Sequence, residues 1–287
     1  MKVLMASVGL LVAASAWTFL ADDPARIPPG WDWQSSFVGT LTWPDPQSGK
    51  FPEQQTLGIY ERSITIEENE DRPAAVVLKD DFVIRDPVTE EITWRYTVYP
   101  SVDPATGRHL GLGSDEEFIV FPRQVERRSY RLRMNYIKGV PVEFLKEDII
   151  EGLKVFLFTY KGRGEYTESY LGNADYPGVP VAEGQEIKCA DDQFTLFIWV
   201  EPLTGETVKM SERCDSGDYV FNASTGEALS PVLRWGGMTA GSDILSRVER
   251  VRQERLRLLV LQYLPFALVS GALLLAIAGF IRRGSQS

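Results

Sequence analysis

"VEPLTGETVKM", residues 200–210, sets a proline, a threonine and a glycine inside an otherwise strand-like run. Thr204-Gly205 is either a loop that holds a ligand or a corner between two strands, and the fold class turns on which. The pattern recurs: "DPQSG" occupies 45–49, "DPVTE" 86–90, "DPATG" 103–107 and "NASTG" 222–226, beside "EPLTG" at 201–205. Asp or Asn at the first position accepts backbone hydrogen bonds, proline pre-sets φ at the second, and glycine tolerates a left-handed corner. Runs rich in Val, Ile, Thr, Tyr, Phe and Trp flank several copies, so the pattern predicts hairpin corners and not phosphate loops. The irregular spacing speaks against a solenoid repeat.

Strands are predicted over 36–43, 56–67, 74–85, 92–99, 117–122, 128–137, 151–160, 193–201 and 206–213, with Pro73, Pro100, Pro122, Pro141, Pro177 and Pro180 at the breaks. Helical periodicity is scarce before residue 243. The fold class is therefore mainly β, an antiparallel ectodomain in two lobes, 22–115 and 116–242, divided within the long loop 100–117. A second long loop, 171–186, has the length of a lid or contact loop.

Two strands, KVFLFTY (154–160) and FTLFIWV (194–200), are apolar on both faces. Either they are central strands covered on both sides, or one face lines a groove for an acyl chain. The candidate lipid-lining residues are Phe156, Phe158, Phe197 and Trp199.

Both ends are apolar. Residues 3–20 and 258–281 carry no charge, and at 1.5 Å per residue they extend roughly 27 and 36 Å against a hydrocarbon core of about 30 Å. The second, followed by Arg282-Arg283, predicts a transmembrane helix with a cytoplasmic tail, 282–287. The first, within residues 1–21, fits an uncleaved anchor and also a signal peptide ending at Ala14-Ser15-Ala16. Lys2 before it and Asp22-Asp23 after it keep the N-terminus cytoplasmic and place the ectodomain outside. Five arginines before the second span, Arg247, Arg250, Arg252, Arg255 and Arg257, run against that charge rule. They lie on a predicted juxtamembrane helix, 243–257, whose Ile244, Val248 and Val251 share one face. They are candidates for contact with lipid headgroups or a partner. "IPPGWDW" (27–33) reads as a stiff linker with Trp31 and Trp33 at the outer membrane interface.

The net charge is −10. Residues 1–21 contribute +1 and 243–287 contribute +4, leaving −15 on residues 22–242. Such a domain repels nucleic acid and solvates well. The two cysteines, Cys189 and Cys214, flank the FTLFIWV and TVKMSER runs. If those runs pair through the LTG corner, both sulfurs fall at the open end of one hairpin. A disulfide there would stabilise the fold by about 3 kcal/mol and mark an oxidising compartment.

Catalytic chemistry is scarce. His109 is the one histidine, and no nucleophile-elbow pattern accompanies it. Zinc sites need more His and Cys than are present. The acidic clusters at 67–71 and 191–218 lack the spacing of a calcium loop and read as solvated turns. His109-Leu110-Gly111-Leu112-Gly113 lacks the strand-to-helix context of a dinucleotide site. No cofactor and no enzymatic activity are expected.

Residues 116–162 and 194–210 resemble the PorA family of bacterial cell-envelope proteins. The likeness is carried by Phe121-Pro122 before a charged, Tyr-containing strand, by Glu151-Gly152-Leu153 leading to Phe158, and by Trp199-Val200-Glu201-Pro202 with Thr204-Gly205. It implies an envelope role between two terminal spans, with no catalytic motif to carry over. The word porin does not transfer, because two apolar helices do not make a lipid-exposed barrel. The sequence thus points to a non-catalytic, membrane-anchored extracytoplasmic protein that binds or handles lipid, or to an accessory subunit of a larger membrane complex joined through its transmembrane helices.

Overall fold

The computed structural model describes residues 8–12, 26–28, 30–45, 47–67, 75–86, 88–110, 117–134, 137–165, 187–214, 216–222 and 224–284. Thirteen strands lie in these residues: β1 (Asp32–Thr42), β2 (Thr56–Glu67), β3 (Val76–Arg85), β4 (Ile92–Val98), β5 (Ser101–Val102), β6 (Glu117–Phe118), β7 (Tyr130–Leu132), β8 (Val140–Ile150), β9 (Leu153–Glu165), β10 (Ile187–Val200), β11 (Thr207–Cys214), β12 (Asp218–Asn222) and β13 (Ala228–Thr239). A long helix, α1 (Gly241–Gly284), follows.

All five corners form, and they are the same object. In each, the N–H of the first residue donates to the carbonyl five residues on, and the N–H of the fifth returns to the first carbonyl, at 2.8–3.0 Å throughout. The side-chain oxygens of Asp45, Asp86, Glu201 and Asn222 accept the N–H groups two and three residues on. Asp103 accepts from Ala105 N and the Thr106 hydroxyl. The fifth residue has φ between 60° and 77° (Gly49, Glu90, Gly107, Gly205, Gly226), a region where only glycine is free of strain.

The strands run in one order, β4-β3-β2-β1-β13-β11-β10-β9-β8-β7-β6, with β5 on β3 and β12 between β10 and β13. Every pairing is antiparallel except β6 with β7. Two isolated bridges, Val102 to His109 and Arg108 to Phe118, join β5 to β6. The circuit of pairings therefore returns on itself at one end of the sheet. Residues 26–251 gather into one unit, in which the two predicted lobes are not distinguished; the loop expected to divide them carries the bridges that join the sheet's ends.

Alternation fills the interior. Trp33 and Phe37 of β1, Tyr60 and Ile64 of β2, Phe158 of β9, Phe194, Leu196 and Ile198 of β10, and Trp235 of β13 belong to one buried cluster. Phe121 and Tyr130 pack on Phe158 at ring separations of 5.0 and 5.7 Å. Trp33, expected at the membrane interface, is instead in this core, because β1 begins at Asp32 and turns its indole inward.

Four strands, β5, β8, β12 and β13, lie outside the predicted runs. β5 has two residues, and β8 and β13 contain Pro141 and Pro231, residues that read as breaks in a strand pattern. Pro141 sits at the second position of β8, and Pro231 lies where the β12–β13 register shifts. Both are positions at which a sheet tolerates a missing N–H. β12 is only five residues long.

A second apolar cluster lies on the outer face. Leu153 and Val155 of β9 and Val208 of β11 pack against Val248 and Val251 of α1, with Ile244 alongside. The first turns of α1 are thus part of the β unit, and the predicted apolar face of that helix is the one that docks. Asp243 fixes its start, accepting Ser36 N at 2.6 Å. Farther on, α1 is long and apolar enough to cross a membrane and is mostly uncovered. Of the predicted N-terminal run only residues 8–12 are described, and they are helical; the loop 171–186 lies outside the described residues.

Candidate functional site

The EPLTG corner, like DPATG, is met by backbone from elsewhere in the chain, and of the five it is the one that buries its first and fourth side chains. Glu201 and Thr204 are fully buried. Pro202 O and Leu203 O accept Val125 N (2.6 Å) and Gln124 N (3.1 Å) from the segment after β6. A Cβ on Gly205 would stand 2.1 Å from Pro122 O. The corner is closed off by backbone and leaves no cradle for a ligand.

Buried cations converge on it instead. Arg26 donates to Phe121 O (2.7 Å), to Gly205 O (3.1 Å) and to the Glu206 carboxylate (2.8 Å). Arg247 of α1 donates to Thr207 O (3.1 Å) and to Gln34 O. Burial opposes the charge on Glu206, yet the cations Arg26, Arg250 and Arg247 outweigh it and hold its carboxyl below the usual carboxylate range. Three consecutive residues, Gly205, Glu206 and Thr207, therefore receive both the chain entering at Arg26 and the helix leaving at Arg247. The Trp33 ring is approached by the guanidinium groups of both Arg247 (4.1 Å) and Arg62 (5.6 Å), and Arg62 pairs with buried Asp80 through two bonds of 2.9 and 2.7 Å.

This geometry corrects the expectation for Arg247. It is buried and committed to backbone carbonyls, so it is not available to headgroups. Arg250 donates to Asp32 O (3.1 Å), and Arg257 pairs with Glu254 (3.3 Å). Arg252 and Arg255 also have partners within the protein. The positive charge that precedes the apolar run of α1 is thereby partly engaged within the fold.

The four candidate lipid-lining residues do not come together. Phe156 and Phe158 point into the core. Phe197 and Trp199 lie on the outer face, 6.3 Å apart, with Trp199 Nε1 donating to Asp148 (3.0 Å) and Lys209 over its ring at 4.5 Å. Period-two alternation puts Ile198 inward and its neighbours outward, and β9 pairs Phe158 with Ile198. The doubly apolar strands are thus strands with a core on one side and the docked helix beside the other.

The disulfide expectation is overturned. Cys214 is a free, buried thiol that donates to Asp218 at 3.3 Å. The hairpin does form, but its register sets Phe194 opposite Cys214, whereas Cys189 lies opposite Val220 of β12. Five residues of strand, roughly 16 Å, exceed what a disulfide bridges. The side chain of Cys189 is outside the described residues. Among the described residues no cluster of three or more His, Cys, Asp or Glu is placed to hold a metal.

The outer faces of the strands carry Glu61, Ser63, Lys79, Asp81, Arg95, Lys161 and Lys209, while the inner faces are mainly apolar, with Arg62, Asp80 and Glu212 the charged residues buried among them. A membrane pore has the reverse arrangement, apolar outside and polar inside. Fold and site together define a membrane-associated, β-rich protein with a C-terminal apolar helix. The chain belongs to the family described as "Porin PorA", whose model matches residues 2–281. Comparison with the curated proteins gives no match.

Proposed function

We propose that this is a non-catalytic, membrane-tethered envelope protein, with its β domain on the extracytoplasmic side and both termini in the cytoplasm, acting as an accessory subunit of a larger membrane assembly. The observation that carries the reading is the inside-out character of the domain relative to a pore. Aromatic and aliphatic side chains occupy its interior and charges cover its outside, while its last element continues as an apolar helix. Such a domain displays a surface; it does not conduct. The N-terminal run serves as a second membrane segment. Protease added to intact cells should cleave within 22–242 and spare both ends; a protected domain overturns the sidedness.

The accessory role is tested by purification in mild detergent with mass spectrometry of proteins and lipids together. A membrane protein recovered in fixed ratio supports it. A second reading, lipid binding, rests on the side-by-side aromatics Phe197 and Trp199. It predicts instead a lipid in fixed ratio, lost in Phe197→Ser while the domain stays folded. A lone protein with neither companion overturns both.

A further inference from the structure

The small residues Ser270-Gly271-Ala272 fall in the middle of the α1 apolar run, and one of them is covered. Ala272 is 1% exposed, while Leu273, Leu274, Val269 and Phe266 around it are exposed. The described N-terminal turn, 8–12, meets α1 at this place: a Cβ on Gly271 would stand 3.9 Å from Leu10 Cδ1. On that short turn Val8, Leu11 and Val12 are exposed and Leu10 is the half-buried one.

Depth agrees with contact. The uncharged run 3–20 has its midpoint between residues 11 and 12, and the run 258–281 between 269 and 270. Crossing in opposite directions, Leu10 and Gly271 each lie about 2 Å from their midpoints, on the same, cytoplasmic side. Two uncharged runs centred in one bilayer would bring these two residues level. The β unit supplies a separate reason for proximity, since Arg26 and Arg247 are held by neighbouring residues of one hairpin, Gly205 to Thr207.

We infer that the N-terminal apolar run stays in the mature protein as a membrane segment whose helical turn at 8–12 packs on α1, with Leu10 seated on the small-residue surface at Gly271 and Ala272. The missing side chain at Gly271 lets the helices approach closely, and van der Waals packing of this kind is what drives helix association in lipid. The partner of this surface is therefore the chain's own N-terminal segment and not another subunit.

The inference rests on the membrane tether, so the test reads the two separately. The full-length protein carrying Leu10→Cys and Gly271→Cys is oxidised mildly in native membranes, after alkaline carbonate extraction of a parallel sample. We expect protein retained in the membrane pellet, a disulfide between residues 10 and 271 within one chain by peptide mapping, and none in a Val12→Cys, Gly271→Cys control. Retention without the disulfide, a disulfide between two chains, equal yield in the control, or a mature N-terminus beginning after Ala16 overturns the pairing and leaves the tether standing. Release by carbonate overturns both.

Discussion

Replacing Gly205 by alanine and, separately, Gly226 by alanine adds one methyl group at the fifth position of two corners with the same hydrogen bonds and the same φ of 73°. Each change places an L side chain in the left-handed region, which costs roughly 1–2 kcal/mol. At Gly226 nothing lies within 4 Å of the added atom, so the cost ends there. At Gly205 the added atom would meet Pro122 O at 2.1 Å and Phe121 O at 2.8 Å, and both are backbone. Segment 121–125 would have to lift off the corner, disturbing the bonds from Gln124 and Val125 and the seat of Arg26. Overpacking of this kind adds about 1–3 kcal/mol, for a total near 2–5 kcal/mol. At about 2–4 °C per kcal/mol for a domain of this size, Gly226→Ala should lower the unfolding midpoint by about 2–8 °C, and Gly205→Ala by about 4–20 °C. Thermal unfolding of the detergent-solubilised full chain, followed by circular dichroism, measures both. Equal shifts would refute the argument, because they would mean that the corner at 201–205 is no more enclosed than its sibling.

Glu90 holds the same left-handed position without being glycine (φ 60°), so Glu90→Gly should raise the midpoint by about 1–3 °C in the same assay. Backbone N–H groups of Thr89 and Val88 hold Asp86 below the usual carboxylate range, and those of Ser48 do the same first for Asp45. A lowered folded pKa contributes stability that is present above the unfolded value near 4 and is lost as pH falls through the folded one. An Asp45→Asn, Asp86→Asn double variant, which keeps both acceptors but not their charge, should therefore be somewhat less stable at pH 7 and lose less on acidification; an unchanged acid profile counts against this. Arg62→Met strands Asp80 in the core and should cost about 3–5 kcal/mol, most of it recovered by adding Asp80→Leu, as denaturant midpoints would show. Cys214 should resist alkylation in the native protein and react once it is unfolded without reductant; recovery as a disulfide would contradict the free thiol.

Local chemistry was legible because it acts over few residues. The corner at 201–205 and its four copies were predicted from side chains that bond their own backbone two and three positions away, and they form as expected. The helical face of Ile244, Val248 and Val251 followed from a period of 3.6, and the apolar run of α1 from length alone. What the sequence could not decide was register and closure. Which residue faces Cys214 depends on where β10 leaves β11 for β12, a pairing set by the whole sheet. That Phe158 and Phe197 lie on opposite faces follows from alternation only once the core side is known. Arg247 looked like one of five equivalent cations. Packing on Trp33 and the carbonyls of Thr207 and Gln34 singled it out, and those groups are 40 and 213 residues away along the chain. Short-range hydrogen bonds and periodicity are properties of a window of sequence. Burial of a charge is a property of what the rest of the chain brings to it.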